Sequence, residues 1–368
     1  MNRAAAFPGH AGRLRPLLRW RCLAPIDVTA RDDVLAAIAD ARGPIPFVDV
    51  MALALYGEHG FYTAGTGSAG RRGDFLTSPE VGPLFGAVVA RLLDAEWERL
   101  GRPDPFTFVD AGAGPGTLAR AVIAAGPACA GAMRYVAVER SAAQRARHPE
   151  GVTSSPVLPP GPITGVIVAN ELLDNLPFRL VVFDGHWRES LVADDGQDGF
   201  VEVLSAPLEP RPAVLPAHAP LGARAPLQEI AVGWASDVIG RTAAGSLLVF
   251  DYARPTTAEF ATTPWRQWLR TYRGHHRGGH YLRYLGEQDV TSDVALDQLP
   301  PPTSVSTQAD FLHAAGMDEL VDDGRRAWRA GAGHPDLAAL TMRSRAGEAD
   351  ALLDPGGLGA FTVAMWRF

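Results

Sequence analysis

Apolar residues with helical spacing dominate the first hundred positions of the chain. In residues 31–55 they recur every three or four positions, with an interruption where one glycine and two prolines fall at 43–46. Residues 79–100 repeat the pattern, and residues 56–73 are rich in glycine and aromatic side chains. We predict two helical segments joined by a loop. The apolar positions that define the second segment are Val81, Leu84, Phe85, Val88 and Leu92.

From residue 106 onwards, short apolar runs alternate with helical patterns. The runs predict buried strands at 106–109, 135–138, 165–169 and 246–250. The helical patterns cover 117–125 and 227–239. Strands that alternate with helices form a mostly parallel sheet with helices on both faces, so we predict an α/β fold. Residues 361–368 alternate weakly and are predicted to add a closing strand.

A small antiparallel insertion is predicted in the middle of the chain. The dipeptide Asp184-Gly185 is a two-residue hairpin signal, and it separates the extended segments 178–183 and 187–192. Residues 200–204 are expected to add a third strand. The run that follows, 205–226, is rich in proline and alanine and is predicted to lack regular structure.

A second irregular run, 274–286, is rich in glycine, histidine and arginine and is predicted as a surface loop. It contains His275, His276 and His280 without a cysteine or an HExxH frame beside them. We interpret them as loop histidines and predict no metal site. Just before the run, Trp265, Trp268 and Tyr272 have the spacing of one packing face of a helix.

These elements divide the chain into three parts. We assign residues 1–30 to a disordered N-terminal extension, 31–100 to a helical and loop part, and 101–368 to the α/β core. The core carries insertions near 178–226 and 254–300. We find no internal repeat.

Composition narrows the cellular location and the classes of partner. The two cysteines are too few for a disulfide framework, which favours a reducing compartment. We predict a cytoplasmic protein; five arginines and no acid precede Asp27, so the mitochondrial matrix is the alternative if this segment is a transit peptide. The net charge of −7 argues against a nucleic-acid binder. No apolar run approaches the roughly 18 residues of a membrane helix.

A glycine loop joins the first predicted strand of the core to the first helix. Gly112, Gly114 and Gly116 expose backbone N–H groups and lack Cβ atoms, which lets a nucleoside approach closely. A dinucleotide fingerprint requires a further glycine at position 117, where this chain has threonine. The loop therefore favours S-adenosylmethionine as the cofactor. A nicotinamide-dependent oxidoreductase remains the alternative enzyme class.

Two acids flank this loop at strand ends. Glu139 is predicted to accept both ribose hydroxyls from the end of the next strand, and Asp110 to hold the cationic amino group of the cofactor. Solvated charges at strand ends are the alternative interpretation.

A third polar group follows the strand at 165–169. It contains Asn170, predicted to bind the cofactor, and Glu171 and Asp174, which are three residues apart and are expected to point to one side of a helical turn. The carboxyl ends of the strands are where ligands bind in open α/β sheets, so a methyl acceptor would meet the sulfonium here. Two acids that cap a helix are the alternative.

The chain resembles the MidA family of S-adenosylmethionine-dependent methyltransferases over about residues 34–368. The matching segments are Gly43-Pro44-Ile45-Pro46-Phe47, Leu55-Tyr56, Gly60-Phe61-Tyr62, Gly73-Asp74-Phe75-Leu76-Thr77-Ser78-Pro79-Glu80, Pro83-Leu84-Phe85-Gly86, Asn170-Glu171 through Asp174 to Pro177, Gly286, Asp289-Val290-Thr291, Thr307-Gln308 and Phe311-Leu312. The resemblance implies a Rossmann-like class I methyltransferase fold. Because the eukaryotic members dimethylate an arginine during assembly of mitochondrial complex I, it also implies a protein acceptor.

The resemblance suggests four acids for the acceptor site, Asp74, Glu80, Glu171 and Asp174. Carboxylates that bind two guanidinium nitrogens leave the third to attack. The chain departs from the family at Asp110, where glutamate is usual, in the glycine loop, and in 280–285, which lacks the usual Asp-Pro-Leu. A non-catalytic assembly scaffold that keeps the cofactor fold is the second alternative function.

Overall fold

The computed structural model describes residues 28–64, 77–274, 276–331 and 336–368. Its helices are α1 (Ala30–Ala41), α2 (Phe47–Tyr56), α3 (Ser78–Val81), α4 (Pro83–Arg99), α5 (Thr117–Ala125), α6 (Ala142–Arg145), α7 (Glu229–Arg241), α8 (Thr257–Thr262), α9 (Gln308–Ala314), α10 (Met317–Gly331) and α11 (Leu337–Leu352). Its strands are β1 (Ile45–Pro46), β2 (Phe106–Ala111), β3 (Met133–Val138), β4 (Thr153–Ser155), β5 (Ile163–Asn170), β6 (Arg179–Phe183), β7 (Trp187–Asp194), β8 (Phe200–Pro207), β9 (Arg224–Leu227), β10 (Thr242–Asp251), β11 (Ala253–Arg254), β12 (Leu269–Arg273), β13 (His276–Arg277), β14 (Asp289–Ser292), β15 (Val294–Ala295), β16 (Ser304–Thr307) and β17 (Thr362–Arg367).

The central sheet is mixed and mostly parallel. Within the described residues its strand order is β16-β17-β10-β5-β2-β3-β4. The five strands from β10 to β4 are mutually parallel, whereas β17 runs antiparallel to both of its neighbours, β10 and β16. The carboxyl ends of β2, β3 and β5 therefore meet at one edge of the sheet.

Alternating side chains give this sheet a hydrophobic core on each face. In β5, Val166 and Val168 join the core that contains α4 and α5. Ile167 and Ala169 join the opposite core, which is closed by α7. The strand is buried on both faces, which explains why its sequence is continuously apolar rather than alternating.

The predicted helix over 79–100 is wrong as a single element, because the chain breaks it at Gly82 into α3 and α4. A Cβ atom at Gly82 would lie 2.3 Å from the carboxyl carbon of Glu348 in α11. That carboxylate accepts the backbone N–H of Leu84 at 2.8 Å and so caps the amino end of α4. The break also has a local cause, because Gly82 precedes Pro83 and the residue before a proline disfavours the helical conformation.

A further core, the second core, lies outside the central sheet and is separate from the packing on its two faces. It joins α1 and α2 to a five-stranded antiparallel sheet made of β1, β6, β7, β8 and β9. The predicted hairpin is therefore part of a larger layer than expected. The expectation of no regular structure over 205–226 is wrong at both ends, where β8 extends to Pro207 and β9 begins at Arg224. Because β9 is an edge strand, it tolerates the missing N–H of Pro226.

Two predictions for residues 254–300 are also wrong. Trp265, Trp268 and Tyr272 do not share one face of an α-helix: Trp265 lies in a 3₁₀ turn, Trp268 follows this turn and is buried against Phe260, and Tyr272 lies in β12. The predicted surface loop over 274–286 buries Tyr281 in the second core, while His275 lies outside the described residues. Aromatic spacing alone did not distinguish a helix from a packed turn and strand.

Residues 1–27 and 65–76 lie outside the described part of the chain. The predicted N-terminal extension, residues 1–30, lies almost entirely in the first of these ranges. Asp74, predicted to bind the acceptor, lies in the second. Among the helices of the described part, none combines the length and the apolar character needed to cross a membrane.

Candidate active site

A cavity of about 590 Å³ opens at the carboxyl ends of β2, β3 and β5. Its floor and walls come from residues 110–115, 138–141, 156–158 and 170–172. Further lining residues include Tyr56 and Tyr62 from the second core, Glu80 from α3, and Trp234, Asp237 and Arg241 from α7. The volume is typical of small-molecule sites.

The glycine loop has the conformation that its sequence predicts. The φ values of Gly112, Gly114 and Gly116 are 75°, 50° and 78°, which residues with a Cβ atom rarely adopt. A Cβ atom at Gly114 would have no neighbour within 4 Å, so this position faces open space in the cavity. The loop leads directly into α5, whose first N–H groups are unpaired within the helix.

Glu139 is held in place by two backbone N–H groups. Oε2 accepts from Gly114 at 3.0 Å, and Oε1 accepts from Ser141 at 2.7 Å. A carboxylate oxygen can accept two hydrogen bonds, so each oxygen keeps one lone pair for a ligand. The half-buried carboxylate is thus oriented to accept a pair of neighbouring hydroxyls.

Asp110 is a buried acid in the cavity wall. The hydroxyl of Tyr135 donates a hydrogen bond of 3.0 Å to its carboxylate. Burial, opposed by this hydrogen bond and supported by the charge of Glu139, raises the pKa of Asp110 to about 7. A cation placed beside it would favour its ionised form.

Asn170 and Glu171 form the third polar group of the cavity. The amide nitrogen of Asn170 donates to Oε1 of Glu171 at 3.1 Å, while its Oδ1 is buried without a hydrogen-bond partner among the described residues. Glu171 has a φ of 49°, a strained value for a residue other than glycine. Burial, assisted by the charge of Asp174, raises the pKa of Glu171 to about 8.

Asp174 does not line the cavity, and the expectation that it points to the same side as Glu171 is wrong. The left-handed backbone at Glu171 precedes a 3₁₀ turn, Leu173–Asn175, which carries Asp174 into the interior. There it accepts the hydroxyl of Thr291 at 2.5 Å. Burial raises the pKa of Asp174 to about 6.

Two further buried acids lie behind the cavity. Asp251 accepts the backbone N–H of Leu173 at 2.9 Å, and Asp289 accepts the hydroxyl of Tyr62 at 3.0 Å. Burial and the charge of Asp174 raise the pKa of both acids, to about 7 in Asp289. The turn that follows Glu171 is therefore surrounded by buried carboxyl groups.

The two acidic segments predicted from the sequence meet in the folded chain. Glu80 lines the cavity, and its Oε1 accepts the hydroxyl of Thr117 at 2.6 Å, at the start of α5. The backbone of Ser78 also hydrogen-bonds to the carboxylate of Glu171. Position 74 lies outside the described residues.

Several cavity residues were not among the predicted site residues. Tyr56 and Tyr62 stack with their ring centroids 5.6 Å apart. The hydroxyl of Tyr56 donates to the backbone oxygen of Asn175. Arg140 and Ser141 could have been inferred, because they follow Glu139 at a strand end. Nothing in the sequence around Trp234 indicates that it lines the cavity.

A comparison with protein families gives a match over residues 88–314, more than half of the chain. The family is described as "Putative S-adenosyl-L-methionine-dependent methyltransferase". Among curated proteins, the mitochondrial protein arginine methyltransferase NDUFAF7 homologue of Drosophila melanogaster is 31% identical over 195 residues, 44% of each chain. The human protein arginine methyltransferase NDUFAF7 is 33% identical over 78 residues, 21% of this chain and 18% of its own. The chain thus matches less than half the length of these relatives.

A solved structure is similar over nearly the whole chain. It is described as "a COG1565 superfamily member and likely methyl transferase from Burkholderia thailandensis bound to S-adenosyl-homocysteine". It is 26% identical, covers 92% of each chain and has a TM-score of 0.78. The family predicted from the sequence is confirmed: the chain belongs to the MidA-like family of S-adenosylmethionine-dependent methyltransferases, with S-adenosylmethionine as its cofactor.

Proposed function

We propose that this methyltransferase acts on an arginine side chain of a protein. The observation that carries the proposal is the carboxyl group of Glu171, held in the cavity by a strained backbone and surrounded by further acids. The names of the Drosophila and human relatives, which are protein arginine methyltransferases, support the same acceptor.

The chemistry requires alignment and a free lone pair on the acceptor nitrogen. S-adenosylmethionine supplies a methyl group already activated by a positively charged sulfur. Arginine has a pKa above 12 and stays protonated in water, so the protein must localise its charge away from the attacking nitrogen. A carboxylate that binds two guanidinium nitrogens does this, and it can receive the proton that the guanidinium releases on methylation.

The residues of the cavity fit the cofactor. The Oδ1 of Asn170, which has no partner among the described residues, is an acceptor for a ligand N–H or O–H group, and the open space at Gly114 admits a ligand against the backbone. We assign the ribose hydroxyls to Glu139 and the cationic amino group to Asp110, with Gly112 and Gly116 shaping the loop. These are the roles predicted from the sequence.

For the acceptor, we propose that Glu171 binds the guanidinium and that Glu80 provides a second carboxylate in the same cavity. Both carboxylates line the cavity. Glu80 contacts Thr117 at the start of α5, and Glu171 contacts Asn170. Asp174 is not assigned to acceptor binding, because it is buried behind the turn. A role for Asp74 stays a prediction.

The acceptor is tested with purified protein, tritiated S-adenosylmethionine and lysate from a strain that lacks the gene. We expect one labelled protein band that is absent without enzyme, and methylarginine after acid hydrolysis of that band. Label recovered as methyllysine, or only in molecules that pass a small-pore filter, would contradict the proposal.

Fractionating the cells for the same experiment also tests the predicted cytoplasmic location, since the relatives are named as mitochondrial.

The raised pKa of Glu171 predicts how acceptor methylation depends on pH. With a pKa of about 8 before the acceptor binds, the group is largely protonated at pH 6 and ionised above pH 8. A guanidinium binds the ionised form. We therefore expect kcat/KM for the acceptor, at saturating cofactor, to rise up to tenfold per pH unit towards pH 8 and then to level off.

Asp174→Asn provides the control for this pH dependence. The charge of Asp174 raises the pKa of Glu171, so its removal should shift the rise in kcat/KM to lower pH while transfer continues. A wild-type profile that is flat from pH 6 to 8 would remove Glu171 from acceptor binding.

A further inference from the structure

We propose that His148 is a positioning residue that holds the glycine loop in its cofactor-binding conformation. Its Nε2 lies 2.9 Å from the carbonyl oxygen of Gly114. The N–H of the same glycine donates to Glu139 at 3.0 Å. Both backbone polar groups of Gly114 are thus held by side chains, the carbonyl by His148 and the N–H by Glu139.

The imidazole of His148 donates a hydrogen bond to the loop. A carbonyl oxygen can only accept, so Nε2 carries the hydrogen in this contact. Nδ1 is buried and has no hydrogen-bond partner within the described residues. In that part of the chain, the loop carbonyl is therefore the single polar contact that orients the imidazole.

The segment that carries His148 packs directly against the loop. A Cβ atom at Gly116 would lie 3.2 Å from Cδ2 of His148 and 3.0 Å from Cδ of Pro149. One residue earlier, the backbone oxygen of Arg147 accepts a hydrogen bond of 3.1 Å from Arg120 in α5. This segment between β3 and β4 thus supports the loop and the helix that follows it.

Loss of the donor at His148 should weaken cofactor binding without impairing the transfer step. Gly114 has a left-handed φ and open space on its free side, so the loop can shift at this residue once the bond is removed. A shift of Gly114 would also displace its N–H, which orients Glu139. This inference rests on the proposed role of the loop and of Glu139 in cofactor binding.

Three substitutions separate the hydrogen bond from packing. Glutamine places its amide nitrogen the same number of bonds from Cα as Nε2 of histidine, whereas asparagine is one bond shorter and leucine has no donor. By calorimetry with S-adenosylhomocysteine, we expect His148→Leu and His148→Asn to raise Kd about tenfold and His148→Gln to stay within about threefold of the wild type. The matched control is Glu150→Ala, an exposed change in the same segment with no expected effect.

Two further readouts distinguish positioning from general stability. Melting temperatures without ligand should agree within a few degrees among the variants. Label transfer to the lysate acceptor at saturating S-adenosylmethionine should be unchanged in His148→Leu, since the loss is in binding. Wild-type affinity in His148→Leu, or equal losses in His148→Gln and His148→Leu, would overturn the inference. If the wild type itself bound no S-adenosylhomocysteine, the assigned cofactor site would fail instead.

Discussion

Glu171→Gln is expected to lower methyl transfer at least a hundredfold while the Kd for S-adenosylhomocysteine stays within about threefold of the wild type. The amide keeps the size of the side chain and can still pair with Asn170, whose nitrogen contacts Oε1 at 3.1 Å. It cannot carry the negative charge that localises a guanidinium, nor accept the departing proton. General-base contributions of this kind are worth about 10²–10⁴-fold in rate.

The measurement is label incorporation into the acceptor band, with calorimetry on the same preparation. Glu171→Asp is the matched control, because it keeps the charge and is shorter by one methylene group. We expect it to retain a measurable fraction of transfer and thus to exceed Glu171→Gln. If Glu171→Gln turned over at the wild-type rate, the carboxylate would have no part in the chemistry and the arginine proposal would lose its main support.

The sequence predicts an element of the fold well when residues within that element determine its bounds. Helix α5 has the predicted bounds, because the glycine loop ends at Gly116 and Gly126 adopts the left-handed conformation that ends a helix. The break at Gly82 was not predicted, although Gly82-Pro83 is a local helix-breaking signal; the carboxylate of Glu348, far away in sequence, caps the new helix start. Edge strand β9 was missed because proline was taken as evidence against regular structure.

The candidate site shows the same division. The glycine loop, Glu139, Asn170 and Glu171 follow strand ends that the pattern locates, so topology alone brings them to one edge. Asp174 was misplaced because its direction depends on the left-handed backbone at Glu171, which no spacing rule indicates. His148 lies 34 residues after Gly114 with no motif around it, and only the folded chain brings the two together.

The second core contributes directly to the site. Tyr56 ends α2 and Tyr62 follows it, and their hydroxyls bond to the backbone of Asn175 and the carboxylate of Asp289. Asp289 also accepts the side-chain amide of Asn175 at 2.9 Å. The N-terminal helices are thereby fixed to the turn that follows Glu171, so the part of the chain before the central sheet shapes the side of the cavity where we place the acceptor.

Gly114→Val is expected to weaken S-adenosylhomocysteine binding at least a hundredfold. The residue has a φ of 50°, which a β-branched side chain resists, and its missing Cβ faces open cavity space where we place the cofactor. Strain and occupation of that space both oppose binding. Because each factor of ten in Kd corresponds to about 1.4 kcal/mol, the two effects together account for a loss of this size.

Gly126→Val is the matched control at the other end of α5. Gly126 has a φ of 64°, and a Cβ atom there would have no neighbour within 4 Å, but this glycine does not line the cavity. The two variants should lose similar stability, by thermal melting, while only Gly114→Val loses binding. In cells, a Gly114→Val protein that is as abundant as Gly126→Val and fails to complement a deletion would tie the function to the cofactor. Full complementation by the binding-deficient protein would instead favour an assembly scaffold, because a scaffold needs the fold but no methyl donor.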